Sequence, residues 1–144
     1  MKDTHISPSL VQNFPLEMGG QLNIQAAIYQ ALSTLSYPVY DDVPQGAAFP
    51  YIVIGDDTSI PFDDDCGIGL ESTITIHVWS VHSGRAEAKR IMNAVYNRLH
   101  RQNLPIVGAY SVTLNAEYQD TFLDPDGVTR HGVIRFRLLT REVK

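Results

Sequence analysis

The spacing of apolar residues predicts two amphipathic helices. Between Leu22 and Leu35, apolar residues recur at every third or fourth position, which is the period of a helix with one buried stripe. This pattern ends at Pro38, because proline disfavours helical geometry in the residue before it. A second stripe runs from Ala88 to Leu99. We expect both helices to bury one side in a common core.

Four further segments have the features of β-strands. Tyr51–Gly55 is rich in β-branched residues, and Glu71–Ser80, Val112–Tyr118 and Arg130–Thr140 alternate between apolar and polar positions. A strong turn signal, Asp124–Gly127, separates the last two. The order α-β-β-α-β-β predicts an α+β fold, in which an antiparallel sheet of four strands, or slightly more, carries both helices on one face.

Residues 1–20 differ from the remainder of the chain. Proline and glycine interrupt every candidate periodicity in this segment. We interpret residues 1–20 as an N-terminal arm or a disordered leader, and residues 21–144 as a single domain. A length of 144 residues is typical of one domain with a substantial core.

Composition argues against several classes of protein. The chain has 16 Asp or Glu against 11 Lys or Arg, a net charge of −5, whereas proteins that grip nucleic-acid phosphates rely on clustered Lys and Arg. No apolar run approaches the roughly 20 residues of a membrane-spanning helix, and the first residues lack a signal-peptide pattern. The one cysteine, Cys66, cannot form an internal disulfide. We therefore expect an acidic protein that neither enters a membrane nor binds DNA specifically.

Part of the acidity is concentrated in one predicted loop, from Asp56 to about Leu70. Five of the 16 acidic residues lie between Asp56 and Asp65. Asp63, Asp64 and Asp65 could hold a hard cation through oxygen ligands, but their spacing lacks the alternating acids of a calcium-binding loop. We favour a solvated, self-repelling loop, and its length suggests a functional role.

The sequence contains no convincing catalytic, metal or cofactor site. The carboxylates before Cys66 oppose ionisation of its thiol. His77 and His82 match no metal-binding spacing, and His131 beside Gly132 belongs to no motif. Phosphate-binding glycine loops and the nucleophile elbow of hydrolases are also absent from the sequence. The residues alone therefore identify no candidate active site.

A second face of the predicted sheet is more informative. His77 and Trp79 alternate with the apolar residues of their strand, and Arg135 and Arg137 do the same on another strand. Because the helices cover one face only, this second face must meet water or a partner. Trp and Arg are enriched at subunit interfaces, although an ordinary polar surface explains the pattern equally well.

Three stretches together resemble the tail terminator (tail completion) proteins of long-tailed bacteriophages and phage-like gene-transfer particles. Tyr40–Gly55 is similar to the family's first hairpin region. Thr75–Ser80 and the following residues, up to Tyr96, resemble its strand leading into the second helix. Asp124–Arg137 resembles its closing hairpin. The resemblance extends from about Leu22 to Glu142.

The resemblance implies a structural virion protein without enzymatic activity or cofactor. Members of the family form a hexameric ring that caps the finished tail tube, stops its polymerisation and offers a docking surface to the head. The implied partners are further copies of the chain, the major tail tube protein and the head–tail connector protein. The implied location is the head-proximal end of the virion tail, after assembly in the host cytoplasm. DNA would pass through the lumen without specific binding, which an acidic inner wall would favour.

The predicted interface residues come from the acidic loop, the second sheet face and the last turn. They are Phe62, Asp63, Asp64, Asp65, His77, Trp79, Asp124, Asp126, Arg135 and Arg137. Two other classes remain open: a neighbouring neck or head–tail joining protein, and a small metal-dependent enzyme that combines the acidic loop with His77 or His82.

Overall fold

The computed structural model describes residues 20–65 and 67–143, which form two helices and five strands. In chain order the elements are α1 (Gln21–Leu32), β1 (Val39–Tyr40), β2 (Tyr51–Pro61), β3 (Gly69–Ser80), α2 (Ala86–Leu99), β4 (Ala109–Leu123) and β5 (Arg130–Glu142). The predicted α+β class is confirmed. Apart from Gly20, the arm or leader predicted for residues 1–20 lies outside the described residues.

The five strands form one mixed sheet in the order β1-β2-β3-β5-β4. β1 runs parallel to β2, and all other neighbours are antiparallel. The prediction of a wholly antiparallel sheet of four strands or slightly more, with the order α-β-β-α-β-β, was therefore wrong in its strand directions and its order. The added strand has only two residues, too few for any periodicity, and it exists because Val39 pairs with Ile52, whose N–H donates to the Pro38 carbonyl at 2.9 Å.

The acidic segment is a long hairpin rather than a loop of fifteen residues. β2 continues to Pro61 and β3 begins at Gly69, so the connecting loop is residues 62–68. The loop prediction for residues 56–70 was wrong because a register shift between Ile54 and Asp57 breaks the alternation at that point. The triplet Asp63–Asp65 consequently lies at the tip of the hairpin.

The core lies between the two helices and one face of the sheet. α2 packs on β3, β4 and β5, and α1 packs beside α2. The fully buried side chains come from both helices and from alternate strand positions, including Ile28, Leu32, Ile52, Ile76, Ile91, Leu99, Phe136 and Leu138. Each such side chain contributes roughly 1.5–3 kcal/mol through burial. In the part of the chain that the structure describes, neither helix is long and apolar enough to cross a bilayer.

Candidate assembly surface

The sheet face turned away from the helices, here called the open face, carries a row of rings across four strands. Strand pairing places Tyr51 opposite Trp79, Trp79 opposite His131, and His131 opposite Phe122. The Trp79 and His131 rings stack with centroids 3.7 Å apart, and the Phe122 ring lies 4.7 Å from that of His131. This aromatic row occupies the end of the sheet near the β4–β5 turn.

Two imidazoles meet beside the aromatic row. His77 Nδ1 lies 2.7 Å from His131 Nε2, and His131 Nδ1 faces the Asp124 carboxylate at 3.6 Å. Burial lowers the pKa of His77, while burial and the neighbouring His77 lower the pKa of His131 against the opposing effect of Asp124. We assign a neutral pair in which His77 donates to His131, because the Nδ1 hydrogen of His131 then points towards Asp124.

A glycine on β2 makes room for this pair. A Cβ atom on Gly55 would lie 2.6 Å from two ring atoms of His77 and 3.1 Å from the Thr75 carbonyl oxygen. Such short contacts require the imidazole to move. Gly55 therefore positions His77, and through it the hydrogen bond to His131.

The middle of the open face is an ionic cluster. Arg137 donates to the Glu71 carboxylate and, through Nε, to Glu117 at 3.3 Å. Arg135 Nε lies 3.9 Å from Glu117, and its guanidinium carbon is 5.0 Å from the centre of the Tyr118 ring. Hydrogen bonding and charge from Glu117, with a smaller effect of Glu71, raise the pKa of Arg137. Both predicted interface arginines thus have intramolecular partners.

The hairpin tip is held to β5 by Arg141. Its guanidinium donates to both oxygens of Asp64 and to the carbonyl oxygens of Phe62 and Gly67, at 3.2 and 3.1 Å. It also lies 4.8 Å from the centre of the Phe62 ring. Three of the four predicted interface residues of the tip are thus engaged internally, since Asp63 accepts from the N–H of Gly69 at 3.1 Å.

The β4–β5 turn uses its carboxylates locally. Asp126 accepts from the N–H groups of Val128 and Thr129, both at 2.8 Å, and from the Thr129 hydroxyl at 2.6 Å. These hydrogen bonds lower the pKa of Asp126. Asp126 therefore stabilises the turn, while Asp124 faces His131. A role for either residue at an interface stays a prediction.

The structure divides the predicted interface residues into three groups along the sheet. His77, Trp79 and Asp124 meet at one end, the two arginines lie in the middle, and the acidic tip lies at the other end. Sequence reasoning missed the partners: His131, Phe122, Arg141, Glu71 and Glu117. The sequence did contain a signal for one of these contacts. A hairpin that closes at the predicted turn Asp124–Gly127 pairs Phe122 with His131.

The geometry does not support a metal centre built from the acidic tip and His77. His77 pairs with Val53, eight residues before Pro61, and eight residues of strand span roughly 25 Å. Within residues 20–65 and 67–143, no group of three or more His, Cys, Asp or Glu is placed to hold a metal ion. In the same ranges, the imidazole pair hydrogen-bonds to no Ser, Thr or Cys side chain. The pair instead contacts Asp124, Trp79 and Phe122.

Comparison with known proteins relates the fold to virion assembly. A chain in the solved structure of the virion of a native gene transfer agent particle superposes with a TM-score of 0.75 and 26% sequence identity, covering 82% of this chain and 94% of that chain. The tail completion protein gp17 of Bacillus phage SPP1 is 34% identical over 109 residues, which is 76% of this chain and 81% of the relative.

The match to a protein family covers the same part of the chain as the helices and the sheet. The family model for tail completion protein gp17 matches residues 24–141, from α1 to the end of β5. The resemblance seen in the sequence is thus confirmed. The chain belongs to the tail completion protein gp17 family, whose members are structural proteins of the phage tail.

Proposed function

We propose that this chain completes the tail as a ring of six copies at its head-proximal end. The ring stops polymerisation of the tail tube, offers the head–tail connector a docking surface, and lets DNA through its lumen. The observation that carries this proposal is the family match over residues 24–141, supported by the likeness to a chain of a gene transfer agent virion. The family also argues against an enzymatic role.

The open face suits repeated contacts between protein subunits. It presents rings and arginines on a rigid sheet, and such side chains dominate the energetics of interfaces. A ring needs two different patches on each copy, related by a rotation that closes. Termination adds a requirement for asymmetry, because one side of the ring must fit the tube while the other rejects a further tube subunit.

A deletion experiment tests this role against that of a neck protein. We expect electron micrographs of extracts that lack the protein to show overlong tails without heads. Loss of a connector would instead leave tails of normal length that fail to join heads. Normal-length tails that fail to join heads would thus contradict the proposed role and favour the neck alternative. Purified protein added to an extract that lacks it should restore finished particles.

We further propose that the hairpin tip contacts the tail tube or an adjacent subunit. Asp65 is exposed, and among the described residues it makes no hydrogen bond or ion pair, unlike Asp64, which binds Arg141. Asp65→Lys should therefore impair tube capping without disturbing the fold, and Asp65→Asn should have a smaller effect. The matched control is Asp64→Asn, which loosens the tip because it removes the charge that binds Arg141. Normal tail length and head joining with Asp65→Lys would contradict this contact.

A further inference from the structure

Charge is distributed unevenly between two consecutive segments of the chain. Residues 20–84 contain eight Asp or Glu and no Lys or Arg, whereas residues 85–101 contain five Lys or Arg and one Glu. The acidic segment includes β1 and β2, at one end of the strand order, while the basic segment contains α2, which packs over β3, β5 and β4. Asp41 and Asp56 border the open face near the β1 edge of the sheet, whereas α2 lies on the covered face. Asp57 pairs with the core residue Ile74 and therefore belongs to the covered side.

A groove on the open face beside β1, here called the acidic groove, has a volume of about 590 Å³ and is lined mostly by residues of the acidic segment. Its lining includes three aromatic rings and three carboxylates, from Phe49, Tyr51, Trp79, Asp41, Asp56 and Asp124. The lining contains no Lys or Arg. Aromatic faces and carboxylates together are the environment that binds a guanidinium or ammonium group most favourably.

Two of the three carboxylates at this groove, Asp41 and Asp56, have no cationic partner among the described residues, while Asp124 faces His131. Burial raises the pKa of Asp57, and repulsion from Asp41 and Asp56 raises it further. Asp41 and Asp56 therefore lie close enough to Asp57 to disfavour its ionised form. Neither Asp41 nor Asp56 is in an ion pair with another described residue. A cation supplied from outside would relieve this repulsion.

The start of α2 supplies cations of the required kind. Arg85, Lys89 and Arg90 are exposed and form no ion pair within the described residues. The only carboxylate among them, Glu87, accepts from the Ser80 hydroxyl at 2.5 Å. Positive charge near a helix N-terminus opposes the helix dipole, so these residues do not serve the stability of α2.

We propose that in the assembled ring the acidic groove of one copy receives Arg85, Lys89 and Arg90 of the next copy. The inference rests on the proposed function and names the contact between neighbouring subunits. Because the groove and the start of α2 lie on opposite faces of the sheet, two copies cannot satisfy both contacts about a twofold axis. The contact is heterologous, as ring closure requires.

Two reciprocal charge reversals test this contact. The groove variant is Asp41→Lys with Asp56→Lys, and the helix variant is Lys89→Glu with Arg90→Glu; all four residues are exposed. Each purified full-length variant is added to an extract of tails and heads that lacks the protein, and finished particles are counted. Each alone should reduce completion about tenfold or more, because like charges placed across an interface cost several kcal/mol.

The mixture of the two variants provides the decisive result. In an alternating ring every reversed groove meets a reversed helix, and every native helix meets a native groove, so a ring of six closes with three of each. We expect the mixture to restore completion to within about threefold of wild type, since all six contacts are again complementary. Each variant alone at twice the dose is the control. A single chain carrying all four substitutions should be restored as well.

The outcomes separate the contact from the proposed function. If wild-type protein fails to complete tails, the proposed function is wrong. If wild type succeeds and either variant alone also succeeds, the proposed contact is wrong. The contact is also wrong if both variants fail and their mixture stays inactive, which is the result expected if α2 bound DNA. Circular dichroism checks folding, and Asp41→Asn with Asp56→Asn, expected to give a smaller loss, replaces a groove variant that does not fold.

Discussion

The two faces of the sheet carry different kinds of side chain. The covered face consists of aliphatic and aromatic residues such as Ile76 and Phe136, both fully buried. The open face pairs imidazoles, rings and ion pairs at defined positions, as in the His77–His131 hydrogen bond. The covered face is therefore sensitive to changes in side-chain volume, whereas the open face is sensitive to the loss of particular hydrogen bonds and ring contacts. Substitutions on the two faces should differ accordingly.

Truncation of a covered ring should have the largest effect. Phe136→Ala leaves a cavity in the core, and we expect a loss of about 3–5 kcal/mol in the free energy of unfolding. Phe122→Ala on the open face is the matched control, because Phe122 is 40% exposed and should lose less than half as much. Urea denaturation measures both. Equal losses would show that the open face is as much a part of the core as the covered face.

Crowding the open face should have the next largest effect. Gly55→Ala places a methyl group 2.6 Å from the His77 ring, and we expect a loss of about 1–3 kcal/mol from overpacking. The same substitution in a His77→Ala background should cost much less, because the clash is removed. A double-mutant cycle measures this coupling. Additive losses would mean that Gly55 acts through its backbone alone.

The imidazole pair should make stability depend on pH. Burial lowers the pKa of both His77 and His131 in the folded state from their ordinary value of 6.5. Below that value the unfolded chain binds more protons, so the free energy of unfolding should fall as pH decreases from 6.5 towards the lower folded values. Replacing both by Gln should flatten the profile measured by urea denaturation. If the double variant keeps the slope of the profile, the pH dependence of stability arises from other groups.

Removal of an open-face ion pair should have the smallest effect. Arg137 is exposed, and water screens its attraction to Glu71 and Glu117. Arg137→Met should therefore leave the thermal unfolding midpoint essentially unchanged. If the midpoint drops clearly, the ionic cluster contributes to the fold and the contrast between the faces is weaker than described. Glu71→Gln serves as the reciprocal variant.

The covered face was predictable and the contacts of the open face were not. The spacing of apolar residues was enough to identify α1, α2 and the apolar side of β3, because each of these depends on residues close in sequence. The two-residue β1 depends on pairing with β2, and Arg141 reaches an Asp64 that is 77 residues away, so neither leaves a local pattern. The contact between His77 and His131 likewise joins residues 54 positions apart and depends on the pairing of β3 with β5, which no local pattern reveals.

The continuous pairing of β3 with β5 also has a mechanical consequence. The two strands pair from Gly69 with Arg141 to Ser80 with Arg130, and Arg141 fastens the hairpin tip to this frame. Eleven residues of strand span about 35 Å, so a displacement of about 2 Å at the tip corresponds to a tilt of about 3° over the whole length. The unbroken pairing therefore joins the acidic tip and the aromatic row through one strand pair, so a rigid tilt of that pair displaces both ends of the subunit together.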